Sequence, residues 1–168
     1  MKNKVLFCII FLVVISCTTN SQQSFPLESL GLDIAIKEKV FEWKDFHSPR
    51  GEGYTFEVYT FEKNENFEEK LLKSQNYPLS NDLRKNWKIR HWKANEVDNK
   101  DVLELLFNYQ INDDEAQKEI DNLERIVDNG DYVVAYYYKG FDDDYIDSID
   151  LYLLDIKNSK LYRCIVIT

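Results

Sequence analysis

From Asp131 to Ile167 the chain carries three β-branched and aromatic runs separated by turn chemistry, and this stretch does most to limit how it can fold. Asp131–Lys139 is dense in valine and tyrosine, and Ile146–Ile156 alternates in part. Lys157-Asn158-Ser159 then turns the chain into Leu161–Ile167. Side chains on a strand repeat every second residue, and short connections join antiparallel neighbours, so this region predicts an antiparallel meander closing the domain.

Further strands are expected upstream. Lys39–Phe46 alternates imperfectly, and His47–Gly53 contains Ser48-Pro49 and Gly51-x-Gly53. Tyr54–Phe61 then places Tyr54, Phe56 and Val58 on one face with Thr55 and Glu57 on the other, so the two runs predict a hairpin. Trp87, Ile89 and His91 alternate with Lys88 and Arg90, which predicts a short strand.

Two segments have helical spacing. In Asn64–Lys73, Phe67 and Leu71 lie four apart, acids come early and lysines late, and Pro78 closes the segment. In Asn112–Asp128, Ala116, Ile120, Leu123 and Val127 form one stripe. Asn112 is placed to cap with Glu115 three residues on, Asp121 and Arg125 stand four apart, and Asn129-Gly130 supplies a left-handed stop. Val102–Ile111 fits both periods and is read as a strand after a short helical turn. Strands at both ends with helices between them predict an α+β class: one antiparallel sheet, helices on one face, and the C-terminal meander. No repeat or Pro/Gly/Ser-rich linker divides the chain, so one domain is expected over residues 25–168.

The N-terminus has a separate logic. Lys2 and Lys4 precede an uninterrupted apolar run, Val5–Ile15, which ends at Ser16-Cys17. A basic start, a short apolar core and a small residue at the cut describe a secretory signal. The run is too short to span a bilayer, which takes about 20 apolar residues. Val14-Ile15-Ser16-Cys17 resembles the lipobox of bacterial lipoproteins. The resemblance covers residues 1–17 only, and it implies cleavage between Ser16 and Cys17 and acylation of Cys17. On that reading residues 1–16 are a signal peptide and residues 17–24 a polar, lipidated tether. Two or more acyl chains at about 0.8 kcal/mol per buried CH₂ give a stable anchor. Thr19, where an aspartate would signal retention in enteric lipoproteins, favours the outer membrane.

Cleavage would remove two lysines and no acid, taking the formal net charge from −9 to −11. Phosphate would be repelled, so nucleic acid is excluded as a partner, and lipid rather than surface charge would hold the chain on a membrane. With Cys8 removed and Cys17 acylated, only Cys164 would remain, which rules out an intrachain disulfide; its apolar run predicts a buried, inert thiol, with an intermolecular bridge or a reactive nucleophile as alternatives.

Signatures of catalysis are sparse. There is no Gly-x-Ser-x-Gly elbow, His-Glu-x-x-His helix, phosphate loop or Cys-x-x-Cys pair, and His47 and His91 are the only histidines. No cofactor is expected. Asp142, Asp144 and Asp147 belong to an acidic cluster with Asp143 and Asp150, readable as a solvated hairpin loop or as a weak cation site. Tyr136 and Tyr138 share one strand face, either as core or as a partner-binding face. Trp92 and Trp87 lie among Lys85, Lys88, Arg90 and Lys93, either as buried rings on a solvated strand or as a glycan-binding set.

Together these features suggest a membrane-anchored envelope lipoprotein with a non-enzymatic, protein-binding or accessory domain, of the immunity or inhibitor kind. Its expected partners are the bilayer, through Cys17, and an envelope or surface protein. Alternatives are an envelope hydrolase working through carboxylates and a cation- or glycan-binding lipoprotein. Two converging carboxylates in a pocket, or a histidine beside an acid, would mark the enzyme.

Overall fold

The computed structural model describes residues 30, 32, 34–46, 52–63, 67, 69, 71, 84–97, 99–140 and 145–168. Six strands form one antiparallel sheet: β1 (Ile34–Phe46), β2 (Gly53–Lys63), β3 (Lys88–Ala94), β4 (Val133–Lys139), β5 (Ser148–Asp155) and β6 (Lys160–Ile167). Their spatial order is β1-β2-β6-β5-β4-β3. The expected hairpin is β1–β2, and the expected meander is β4–β5–β6. The hairpin docks on β6, and β3 closes the other edge against β4.

Two helices, α1 (Lys100–Phe107) and α2 (Asp114–Asn129), connect β3 to β4. Both lie over one face of the sheet. Val102 and Leu106 of α1, with Ile120 and Leu123 of α2, pack on Tyr54, Phe56, Leu151, Tyr162 and Cys164. The Tyr54 hydroxyl donates to the Leu106 carbonyl at 3.2 Å, tying β2 to the end of α1. The opposite face buries a second cluster, in which Leu30, Phe67, Leu71 and Trp92 cover Tyr59, Phe61, Leu154 and Leu161.

This architecture corrects the expected class. Of the described residues 49% lie in strands and 25% in helices, so the fold is mainly β rather than α+β. The upstream strands are longer than their alternation suggests. β1 begins at Ile34 and β3 runs to Ala94, because bulges shift the side-chain period within both. A strand with a bulge loses the strict two-residue pattern that marks it in a sequence.

The local expectations fared unevenly. Val102–Phe107 is helical and 108–111 form no strand, which corrects the expected strand after a short helical turn. Asn99 caps α1 by accepting from the Asp101 amide at 2.7 Å, and Val102 and Leu106 supply the inward stripe. α2 is capped one residue later than expected, by Asp113, which accepts from Ala116 N at 2.8 Å. Gly130 ends it at φ 73°. Arg125 donates to the Asp121 carbonyl rather than to its carboxylate, and also to Asn122. Of the helix expected over Asn64–Lys73, Phe67, Glu69 and Leu71 are described and helical.

Candidate functional site

The side chains that most need explanation lie on the sheet face away from α1 and α2. Pairing places Glu42, Glu57, Arg163 and Tyr152 in one cross-strand row. The adjacent row runs Lys44, Thr55, Ile165, Asp150 and Tyr137. On a one-sided sheet such a face would be solvated, yet Glu57 is 5% exposed and Asp150 1%. Removing an unpaired charge from water costs several kcal/mol, so each must find a partner.

They do so in one alternating chain. Glu42 pairs with Lys44 and, at 2.9 Å, with Lys39. Lys39 reaches Glu57 at 2.9 Å. Arg163 donates from Nη1 to Glu57 at 3.2 Å, and from Nε and Nη2 to the two Asp150 oxygens at 3.1 and 3.2 Å. Arg84 closes the series, its Nε 2.8 Å from Asp150 Oδ2 and its guanidinium carbon 4.9 Å from the centre of the Trp87 ring. The order from β1 is therefore Lys44, Glu42, Lys39, Glu57, Arg163, Asp150, Arg84: four cations alternating with three anions.

The electrostatic consequences follow from this spacing. Lys44 and then Lys39 hold the Glu42 carboxyl down at about 2. Burial works against the Lys39 ammonium, but hydrogen bonds to Glu57 and Glu42 outweigh it and raise its pKa. Burial likewise opposes the Arg163 cation and is overcome, chiefly by Asp150. Burial, with Glu57 alongside, pushes the Tyr59 hydroxyl up to about 12. Burial and then Asp150 raise Tyr137 and Tyr152. Glu57 and Asp150 each already accept from two cationic side chains. The arrangement therefore orients charge and does not present an open acid–base pair.

The residues singled out from the sequence are not gathered here. Tyr136 and Tyr138 do share a face, but it is the helix-covered one, where both are buried. Tyr137 lies on the opposite side. Trp92 is 8% exposed and donates from Nε1 to the Leu30 carbonyl at 3.3 Å. The register shift between Arg90 and Lys93 lets Trp92 join the buried cluster, while His91 stays exposed. Lys88 and Arg90 lie over Tyr138, at 5.8 and 5.3 Å from its centre. Cys164 is fully buried and forms no disulfide, and burial raises its thiol pKa well above the ordinary value. Asp147 is half-buried ahead of β5, and Asp150 is an interior residue of β5 rather than part of a solvated loop. Cys17, His47, Asp142 and Asp144 lie outside the described residues.

Sequence reading missed the ion chain. A signal was present: Arg163 and Asp150 each interrupt an otherwise apolar strand run. A lone charge there implies a buried partner, but its identity is invisible when, as for Glu57 and Arg163, the two stand 106 residues apart.

Among the described residues no helix is long and apolar enough to cross a membrane, and no group of three or more His, Cys, Asp or Glu side chains could hold a metal ion. No protein-family model, curated protein or solved structure matches the chain.

Proposed function

We propose that the protein is an exported lipoprotein, anchored through acylated Cys17 to a membrane, the outer one, where its domain serves as a non-enzymatic binding module for another envelope protein. The observation that carries this reading is the N-terminal sequence: Lys2 and Lys4, the apolar run Val5–Ile15, and Ser16-Cys17.

The direction of the strands bears on where a partner could dock. β1 starts at Ile34, paired with Lys63, and ends at Phe46, paired with Gly53. Gly53 pairs with Ile167, and β5 begins nearby at Ser148. Phe46 and Tyr145, the exposed large aromatics among the described residues, therefore share the end of the sheet opposite the one where β1 begins. Aromatic rings left exposed at one end of a sheet are the kind of side chain that a partner covers. The acidic charge of the chain would speed capture of a basic partner.

Replacing Cys17 with alanine tests the anchor. The expected result is unprocessed precursor or release of the protein from the membrane fraction. A normally processed, membrane-bound C17A protein would overturn the reading.

A further inference from the structure

The alternating chain of charges begins and ends on cations, and its two ends differ. At one end Lys44 is 46% exposed. At the other, Arg84 is 22% exposed, and only one edge of its guanidinium is engaged, through Nε to Asp150. Its terminal nitrogens Nη1 and Nη2 make no hydrogen bond to any described residue. Lys44, Lys39, Arg163 and Arg84 set against Glu42, Glu57 and Asp150 leave the chain one positive charge in excess, within a protein whose net charge is −9.

We propose that Arg84, fixed between Asp150 and Trp87, is the receptor for an oxyanion, the carboxylate or phosphate group of a bound partner. Three properties of the site favour this. The guanidinium plane is set on one edge by a carboxylate that is itself buried and held by Arg163. One face lies against the Trp87 ring. A side chain already ordered in this way loses little further rotamer freedom on binding, which is the usual cost of using a long cation. The outer edge of a guanidinium offers two parallel N–H donors, matching two oxygens of a carboxylate or phosphate. An anion placed there would extend the alternation by one member and neutralise the excess charge. Partial burial weakens solvent screening and strengthens the pairing.

This inference rests on reading the domain as a binding module but not on its anchor. Inorganic phosphate and acetate serve as probes, titrated separately into the full chain at constant ionic strength in sodium chloride, with the Trp87 indole N–H followed by NMR. A saturable movement of that resonance is expected. Arg84→Lys keeps a cation beside Asp150 but removes the fork, and should weaken the response about tenfold or more. Lys85→Ala, which removes an exposed neighbouring charge, should leave it within about twofold. Tighter binding of phosphate would assign a phosphate group on the partner, and tighter binding of acetate a carboxylate group. No saturable movement in the wild-type chain, or an equal response in R84K, would overturn the proposal. Either result would leave the behaviour of C17A untouched, so the two readings fail separately.

Discussion

Replacing Asp150 with asparagine keeps the shape of the side chain and removes the charge on which two arginines converge. The wild-type carboxylate is 2% exposed and accepts at 2.8, 3.1 and 3.2 Å. Arg84 can turn part of its charge toward water, but Arg163, on the central strand β6, would lose both of its bonds to the Asp150 carboxylate charge and lean on its 3.2 Å contact to Glu57. Breaking a buried pair by removing one partner costs about 3–5 kcal/mol, because the remaining charge stays desolvated. At roughly 3 °C per kcal/mol for a domain of this size, the midpoint of thermal unfolding should fall by about 10–15 °C. Lys37–Glu62 is the internal control, a pair at 2.6 Å whose side chains are 55% and 60% exposed. Glu62→Gln should cost no more than about 0.5 kcal/mol. Calorimetry or circular dichroism on both variants decides the matter. A D150N midpoint within about 2 °C of wild type would mean that the ion chain is solvated and that burial does not set its energetics.

Other expectations follow from the same structure. Glu42 has its carboxyl lowered from 4.5 to about 2, so its pairing stabilises the fold above pH 4.5 and is lost as pH falls toward 2. At 36% exposure solvent screening limits this to about 1 kcal/mol, and Glu42→Gln should flatten acid unfolding across that window by a similar amount. Cys164 should resist a thiol reagent at pH 8 in the native protein and react at the rate of unfolding, whereas prompt labelling would contradict its burial. A Cβ on Gly53 would lie 2.1 Å from the Asp45 carbonyl oxygen, while one on Gly130 meets nothing within 4 Å. Gly53→Ala should therefore destabilise by more than the roughly 1 kcal/mol expected of Gly130→Ala, where only the left-handed φ is at issue. Denaturant titration of the two variants would expose a reversed order.

The course of the chain shows which features leave a mark in sequence. The hairpin and the C-terminal meander are visible because each strand carries its own alternation and each connection its own turn residues. Asn129-Gly130 stops α2 for a similarly local reason: Gly130 takes φ 73° without steric cost. The resemblance of the N-terminus to a secretory signal and lipobox is also purely local, a matter of residue type and order over seventeen positions.

Tertiary structure decided what depends on distant partners. The covering of both sheet faces decided between the two places open to Tyr136 and Tyr138, core or surface, in favour of the core, and the bulge in β3 turned Trp92 inward. The same covering made Glu57 and Asp150 interior charges and gave the domain an ion chain joining β1, β2, β6, β5 and Arg84. A periodic pattern reports which side of its own strand a residue occupies. It says nothing of what lies across the sheet or over it, and desolvation and charge pairing depend on those neighbours.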